Sequence, residues 1–519
     1  MARPDGTGAR RLTGGGRDNN WLARHWSPDG RAVAISSNRA DPAAMDCYLL
    51  GLDGSHRLVA RNRGIGTVAD LSADGRRALV SRLGSRGSND LFLVDLERGA
   101  ETLLTAHDGP GTFDGELAPD GSTVYLLTNL GRDLAAFGRV RVADGGVSAV
   151  ELLAERGDAE LEAFTLDRAA RTAALFWNVA GRSELSFLDL ASGQERPVPA
   201  LPAELAAGGE FSPDGALLVF SASGAAQPSD LFLAEVATGA VRRLTWSPHV
   251  GVDLDRLVRP ELATYAAHDG LPLSGWLYRA PGADAPGAVV MSFHGGPEGQ
   301  DRPAFQSTYQ ALLARGISVF APNVRGSSGF GKRFVNLDNG ALRADAVRDI
   351  KATIDHLVGT GLADPRRIGI AGGSYGGYMV MAGLADYPGE IAAGVNLFGV
   401  VNFETFFAHS EPWMAAISTV EYGDPATERE MLRALSPIHR LDRVTAPTLV
   451  LHGANDTNVP VVEAEQVVES LRRRGVPVEL ILFPDEGHGW RRLPNRVRST
   501  VAIVDWFTRH LGEGAAPAP

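Results

Sequence analysis

A short phrase recurs through the first half of the chain: an aromatic or apolar residue, then Ser-Pro-Asp-Gly or a close variant. The copies begin at Trp26, Leu71, Leu117, Phe164 and Phe211, with 45 to 47 residues between successive copies. One copy would be an ordinary turn, but five copies in register indicate a repeat. A period of this length is typical of the four-stranded blades of a β-propeller.

Two apolar runs of strand length follow each phrase, for example AVAISSNR and DCYLLGLDG after the first copy. Asp-Gly turns between such runs supply the positive φ angles that tight hairpins require. We therefore predict an N-terminal all-β propeller over residues 1–255, with about five complete units of the WD40/TolB-like type.

The Arg-Arg-Leu-Thr phrase at residues 242–245 ends the fifth unit, and the same phrase already occurs at residues 10–13. We expect residues 10–13 to be a closing strand without its earlier strands. The ring would then be incomplete and would leave an exposed sheet edge, which proteins normally avoid. This reasoning favours a preceding segment outside the sequence, and a closed five-bladed ring would contradict it.

The pattern changes near residue 256, where apolar runs of strand length begin to alternate with amphipathic stretches of helix length. This alternation predicts an α/β-hydrolase domain over residues 256–512, with a mostly parallel sheet after an antiparallel hairpin at 262–281. The predicted strands are 287–294, 317–323, 367–372, 391–398, 446–453 and 478–484. The predicted helices are 304–315, 341–358, 376–386, 461–474 and 496–511. Residues 513–519 are predicted to be a disordered tail.

Charge and cysteine content exclude several classes of function. The net charge is −12 and there is no long basic run, which argues against nucleic-acid binding. Cys47 is the only cysteine, so an intramolecular disulfide and a thiolate metal site are excluded. No apolar run is long enough for a membrane span or a secretory signal, so we predict a cytoplasmic protein without membrane partners. Exposed propeller edges leave self-association into a homo-oligomer open, with no particular symmetry.

The strongest chemical motif is G-x-S-x-G, with Ser374 at its centre. The motif alone is a weak signal in a glycine-rich chain, but here a buried strand precedes it and a helical stretch follows it. A strand-turn-helix context of this kind projects a serine hydroxyl from a sharp turn at the edge of a sheet. We therefore predict that Ser374 is a nucleophile.

A serine hydroxyl needs an imidazole base and a carboxylate that orients the base. In this fold class the three groups follow in the order serine, acid, histidine. Asp456 and His488 each lie just after a predicted strand and in this order, so we predict them as the acid and the base. His452 is the alternative base. Asp485 and Glu486, the alternative acids, are expected to be solvated loop charges.

An oxyanion hole needs backbone N–H donors beside the nucleophile. The N–H of Tyr375 is one candidate, and the N–H of Gly295 or Gly296 is the second, because Pro297 has none. A simple strand-to-helix turn is the alternative for the glycines. Four aromatic residues in the long connection after residue 398 are equally consistent with a substrate pocket and with core packing. They are Phe403, Phe406, Phe407 and Trp413.

These motifs occur together with further phrases in a characteristic order: HGGP, NVRGSSGFG, GGSYGGYM, EYGDP, SPI, HGAND and DEGHG. In this order, behind a propeller, the chain resembles the prolyl oligopeptidase family of serine peptidases, in particular its acylaminoacyl-peptidase-like branch. The resemblance implies a Ser374-Asp456-His488 triad and a propeller that covers the active site and admits only short peptides. The chain lacks the adjacent Glu-Glu pair of dipeptidyl-peptidase members, which argues against dipeptide release from a free N-terminus. Its HGGP loop also lacks the tyrosine that some relatives use as an oxyanion donor.

The sequence therefore predicts a serine peptidase that hydrolyses short peptides, N-acylated ones among the candidates, through an acyl-enzyme and without a metal or organic cofactor. Two alternatives stay open at this point. One is a carboxylesterase with the same triad. The other is a propeller-mediated binding protein whose hydrolase domain is vestigial.

Overall fold

The computed structural model describes residues 1–3, 5–14, 18–143 and 146–512. The predicted tail, residues 513–519, lies outside these residues. Within them, no helix has both the length and the apolar character needed to cross a membrane.

Five antiparallel sheets follow one another along the first half of the chain. The first contains β1 (Asn20–Trp26), β2 (Ala32–Asp41), β3 (Ala44–Gly51) and β4 (His56–Ala60). The second contains β5 (Gly66–Leu71), β6 (Arg77–Ser85), β7 (Ser88–Asp95) and β8 (Glu101–Leu103). The third contains β9 (Phe113–Leu117), β10 (Thr123–Thr128), β11 (Ala136–Ala143), β12 (Gly146–Val147) and β13 (Glu151–Ala154). The fourth contains β14 (Glu160–Leu166), β15 (Thr172–Val179), β16 (Arg182–Asp189) and β17 (Glu195–Pro197). The fifth contains β18 (Leu205–Phe211), β19 (Leu217–Gly224), β20 (Gln227–Glu235) and β21 (Val241–Arg243).

The repeated phrase forms the turn between the first and second strands of each sheet. In the first copy, Ser27 Oγ donates to Asp29 Oδ1 at 2.6 Å, and the same oxygen accepts the Arg31 N–H at 3.0 Å. Gly30 has φ 67°, which glycine adopts without strain. The serine-to-aspartate bond recurs at Ser72–Asp74 and Ser212–Asp214, at 2.7 and 2.6 Å. These local bonds explain why serine, aspartate and glycine recur at fixed places in the repeat.

The five sheets form an open propeller. Their first strands, β1, β5, β9, β14 and β18, pack one after another, but within the described residues no packing of similar extent joins the fifth sheet to the first. The prediction of a closing strand at residues 10–13 is wrong, because these residues form no strand. Instead Leu12 packs on an apolar cluster of the first sheet. The cluster consists of Val33, Ile35, Tyr48 and Leu50.

The second half of the chain forms one eight-stranded sheet in the order β22-β23-β25-β24-β26-β27-β28-β29. Its strands are β22 (Glu261–Ala266), β23 (Pro272–Tyr278), β24 (Gly287–Phe293), β25 (Ser318–Asn323), β26 (Ala363–Gly373), β27 (Ala393–Leu397), β28 (Thr448–Gly453) and β29 (Val478–Phe483). β22 and β23 are antiparallel, and the six strands from β24 to β29 are parallel to one another. The predicted hairpin and all six predicted strands are thus confirmed.

Helices cover both faces of this sheet. They are α1 (Ser307–Leu313), α2 (Lys332–Val335), α3 (Arg343–Gly359), α4 (Tyr375–Asp386), α5 (Phe403–His409), α6 (Pro412–Tyr422), α7 (Arg429–Leu435), α8 (Val462–Arg473) and α9 (Leu493–Leu511). The five predicted helices correspond to α1, α3, α4, α8 and α9. α1 and α9 pack on one face, and α3, α4 and α8 pack on the other. Three helices that the sequence did not predict, α5 to α7, fill the long connection between β27 and β28.

Glu463 holds this connection to α8. Its side chain is fully buried, and one carboxylate oxygen accepts the N–H groups of Val401 and Asn402, each at 2.8 Å. The Thr405 hydroxyl donates to the other oxygen. Burial raises the pKa of Glu463 to about 7. Ionisation of Glu463 in the folded protein is therefore less favourable than in the unfolded chain.

This shift predicts a pH-dependent stability. A carboxyl whose pKa is raised by folding stabilises the protein at low pH, and this contribution is lost as the pH rises through about 7. The Glu463→Gln variant keeps the acceptor and cannot ionise. As the pH rises from 5 to 8.5, the unfolding free energy of this variant should increase by about 2 kcal/mol relative to that of the wild type. Urea unfolding at both pH values measures the difference, and an equal effect of the substitution at both would contradict the prediction.

Candidate active site

Ser374 lies in a sharp turn between β26 and α4. Its backbone has φ 58° and ψ −120°, a strained combination for a residue with a side chain. Glycines make the turn possible, because a Cβ at Gly372 would collide with the Gly376 carbonyl, and one at Gly376 would collide with the Phe293 carbonyl. The Ser374 N–H donates to the Leu397 carbonyl at 3.0 Å, which fixes the turn to β27. The sequence motif therefore forms the nucleophile turn that its context predicts.

The predicted acid and base are in direct contact. His488 Nδ1 lies 2.7 Å from Asp456 Oδ2, and the Asp456 side chain is fully buried. The other carboxylate oxygen, Oδ1, accepts the N–H groups of Asn458 and Val459, each at 2.9 Å. Because a carboxylate can only accept, this contact keeps the proton on Nδ1 and leaves Nε2 as the basic nitrogen.

Phe398 lies between the nucleophile turn and the imidazole. Its ring centroid is 4.7 Å from that of His488, and a Cβ built on Gly373 would lie 3.0 Å from its Cε2 atom. Within the described residues, no hydrogen bond joins Ser374 Oγ to His488 or to any other group. Contacts between catalytic groups are often long without substrate and close when substrate binds.

The alternative base, His452, and one alternative acid, Asp485, have other hydrogen-bond or ion-pair partners. His452 is fully buried at the end of β28, where its Nε2 lies 2.9 Å from the Val459 carbonyl. Burial lowers the pKa of His452, so the ring is neutral and donates to that carbonyl. Asp485 is exposed, as predicted, and pairs with Arg492 at 3.1 Å.

The expectation that Glu486 is a solvated charge is wrong. Glu486 is 3% exposed, and its carboxylate accepts the N–H groups of Arg491 and Arg492 at 3.0 and 2.9 Å. The Asn495 amide donates to it at 2.8 Å. These hydrogen bonds lower the pKa of Glu486. The loop after His488 turns back toward α9, and its backbone donors need this buried acceptor.

Three backbone N–H groups, in the nucleophile turn and in the adjoining glycine loop, have no partner in the described part of the chain. They belong to Tyr375, at the start of α4, and to Gly295 and Gly296, in the loop after β24. A Cβ built on Gly295 would lie 3.2 Å from the Ser374 Cβ, so the glycine loop packs directly on the nucleophile. Unpaired donors beside a nucleophile are suited to a developing oxyanion.

A buried charged cluster, which the sequence analysis did not predict, lies beneath this loop. Arg343 is fully buried and pairs with Asp338 at 3.0 Å and with Glu421. Its guanidinium lies 4.9 Å from the Tyr375 ring centroid and 4.7 Å from that of Tyr422. The EYGDP phrase contains two of these residues, but a sequence does not show that a helical arginine is buried. The cluster supports both the start of α4 and the loop beside it.

The four predicted pocket residues occupy different places. Phe403 and Phe406 are core residues, with ring centroids 5.0 and 5.8 Å from that of Tyr422. Phe407 is partly buried against Phe406. Trp413 packs edge-on against Trp21 of β1, with ring centroids 4.8 Å apart. These two tryptophans and His488 border a cavity of about 580 Å³ between the first sheet and the catalytic loops.

A second cavity, of about 460 Å³, lies between the propeller and the hydrolase domain. Its lining includes Arg86, Asn129, Glu160 and Asn178 from the propeller and Glu298, Gln300 and Lys332 from the hydrolase domain. Glu298 Oε1 and Gln300 Nε2 are buried here without a hydrogen-bond partner among the described residues. Burial, together with the nearby charge of Glu421, raises the pKa of Glu298 to about 7. The polar groups of this cavity are suited to a peptide backbone.

Known proteins resemble this chain in sequence and in fold. Residues 303–514 match the sequence model of the prolyl oligopeptidase family. The chain is 28% identical to dipeptidyl aminopeptidase BIII of Pseudoxanthomonas mexicana over 518 residues, covering 93% of this chain and 72% of that protein. It is 28% identical to the acylamino-acid-releasing enzyme of Arabidopsis thaliana over 232 residues, 43% of this chain and 30% of that enzyme.

The fold also matches that of a solved structure. The crystal structure of a puromycin hydrolase superposes with a TM-score of 0.85, covering 96% of this chain and 79% of the other, at 23% identity. This likeness concerns the fold, which is an N-terminal β-propeller followed by a hydrolase domain. Residues 303–514, which include Ser374, Asp456 and His488, are thus similar to the prolyl oligopeptidase family, and almost the whole chain is similar to the solved structure in fold.

Proposed function

We propose that this protein hydrolyses short peptides through an acyl-enzyme, with Ser374 as nucleophile, His488 as general base and Asp456 as the acid that orients the imidazole. The observation that carries the proposal is the 2.7 Å contact between His488 Nδ1 and a fully buried Asp456 carboxylate. The strained turn of Ser374 supports it, because such turns present a nucleophile at the edge of a sheet.

In the acylation step, Ser374 Oγ forms a bond to the scissile carbonyl carbon while its proton passes to His488 Nε2. The carbonyl oxygen becomes an oxyanion, which accepts hydrogen bonds from Tyr375 N–H and from the N–H of Gly295 or Gly296. The C–N bond then breaks, and the imidazolium donates its proton to the leaving amine. In deacylation, a water molecule gives a proton to His488 Nε2 and attacks the ester carbonyl carbon. The bond to Oγ then breaks, the imidazolium returns the proton to Oγ, and the peptide acid leaves.

A cavity between the two domains supports short peptides as the substrates. The cavity of about 460 Å³ between the two domains lies beside the glycine loop and has polar groups on both sides. Two relatives bear the names dipeptidyl aminopeptidase and acylamino-acid-releasing enzyme, so both free and N-acylated peptides are candidate substrates. We also propose a cytoplasmic location, which rests on the single cysteine, Cys47.

A substrate panel tests the proposal. It contains aminoacyl, dipeptidyl and N-acetyl-aminoacyl p-nitroanilides, each with the matched p-nitrophenyl ester, and the Ser374→Ala variant as the blank. We expect turnover of at least one anilide class that is absent from the blank. Hydrolysis of the esters alone would favour a carboxylesterase. Labelling of Ser374 by a fluorophosphonate without turnover of any peptide would favour a binding protein with a vestigial hydrolase domain.

A further inference from the structure

Arg86 extends from the propeller to the loop that carries two of the candidate oxyanion donors. It lies in the turn between β6 and β7 of the second sheet. Its Nη1 donates to the Gly296 carbonyl at 3.1 Å and lies 3.5 Å from Glu298 Oε2. Its Nε and Nη2 lie 3.4 Å from Ser418 Oγ and 3.3 Å from Met414 Sδ. Every nitrogen of the guanidinium therefore has a partner in the hydrolase domain.

The glycine loop needs such support. Gly295 and Gly296 are successive residues without side chains, and Gly296 has φ 125°, a value at which only glycine is unstrained. Two successive glycines can adopt many conformations, so their N–H groups have no fixed direction unless other groups hold the peptide planes. A preorganised oxyanion hole requires that direction to be fixed before the reaction.

Three side chains hold the two carbonyls of this loop. His294 Nδ1 lies 2.9 Å from the Gly295 carbonyl, and His294 Nε2 lies 2.8 Å from Ser327 Oγ. The Gly296 carbonyl accepts a hydrogen bond from the Tyr422 hydroxyl at 3.1 Å, in addition to the one from Arg86.

These contacts determine the direction of the Gly296 N–H. In a trans peptide, the Gly296 N–H points opposite to the Gly295 carbonyl, so the contact with His294 sets its direction. The Tyr422 and Arg86 contacts hold the next peptide plane. The conformation of Gly296 is thereby fixed on both sides. Among the side chains that hold this loop, Arg86 belongs to the propeller.

We propose that Arg86 is a positioning residue for the oxyanion hole. The guanidinium holds the glycine loop in the form that stabilises the tetrahedral intermediate, so full activity of the hydrolase domain depends on the docked propeller. This inference rests on the proposed peptidase function. It gives the propeller a part in the chemical step in addition to covering the active site.

Substitution of Arg86 by alanine or by lysine tests the proposal. Because loss of a whole oxyanion donor costs about 10²–10³-fold in rate, loss of its support should lower kcat about 10- to 100-fold and leave KM within about twofold. Phosphonylation of Ser374 by a small fluorophosphonate should slow by a similar factor, because it uses the same N–H donors without a peptide. Methylguanidinium at a non-denaturing concentration should restore part of the labelling rate of Arg86→Ala.

The control removes a different contact between the domains. Asp133, in the propeller, accepts the Arg333 N–H at 2.8 Å and does not contact the glycine loop. In the Asp133→Ala variant, the fluorophosphonate should label Ser374 at the wild-type rate. Thermal unfolding should show that all the variants are folded. If Arg86→Ala does not fold, the Arg86→Lys and Tyr422→Phe variants test the proposal, because each weakens the hydrogen bonding to the Gly296 carbonyl.

Two results would overturn the inference while the peptidase function stands. In one, the Arg86 variants label as fast as Asp133→Ala. In the other, KM rises while kcat and labelling stay unchanged, which would make Arg86 a substrate-binding group. A wild-type protein that neither labels nor hydrolyses any peptide would instead contradict the proposed function itself.

Discussion

Replacing Ser374 by alanine is expected to lower kcat for the best peptide substrate by about 10⁴-fold or more and to abolish fluorophosphonate labelling. The reason is chemical, since alanine has no oxygen that could form the acyl-enzyme. The substitution removes one hydroxyl that has no hydrogen bond within the described residues, so thermal unfolding should change little. The comparison is made with Ser192→Ala, which removes an exposed hydroxyl in a turn of the fourth propeller sheet and should leave kcat unchanged.

The same reasoning predicts that Ser374 and His488 act as one unit. His488→Ala should lower kcat about as much as Ser374→Ala, and the double variant should be no slower than either single variant. Groups that act in one proton transfer show this non-additive behaviour. For two groups that act independently, the factors by which the single substitutions lower kcat would multiply. Active-site titration before each measurement excludes contaminating wild-type enzyme. Full hydrolysis by Ser374→Ala, or a double variant far slower than both singles, would contradict the shared mechanism.

The parts of the fold that the sequence predicted are those with a repeating or local physical cause. The phrase at Trp26 and its copies at Leu71 and Phe211 contain a serine and an aspartate that bond to each other in the turn, so the local sequence is enough to indicate the turn. The candidate triad could be placed because parallel strands present their carboxyl ends at one edge. Ser374, Asp456 and His488 follow β26, β28 and β29, three strands of that sheet, within a few residues.

The parts that the sequence did not predict depend on contacts between distant segments. Residues 10–13 repeat a strand phrase, but a strand also requires a partner strand, and no strand of the described residues pairs with them. In the sequence Glu486 is an ordinary loop charge, and only the structure shows that it accepts the backbone N–H groups of residues 491 and 492. Arg86 contacts residues more than 200 positions away, and nothing in its own turn indicates this.

Asp456→Asn is expected to lower kcat by about 10⁴-fold while the protein stays folded. In the wild type, Oδ1 accepts the N–H groups of Asn458 and Val459, and the asparagine oxygen can keep both bonds. The amide nitrogen then faces His488 Nδ1, at the place of the present Oδ2. Because an amide NH₂ donates, the imidazole would carry its proton on Nε2 and could not accept the proton of Ser374.

Two measurements separate this effect from a loss of structure. Thermal unfolding of Asp456→Asn should stay close to that of the wild type, because the loop keeps its backbone hydrogen bonds. KM should change little, because the substituted group does not touch the substrate. Asp485→Asn is the matched control, since Asp485 lies three residues before His488 in the same loop and is exposed. If the two asparagine variants had the same kcat, Asp456 would not be the residue that orients the imidazole.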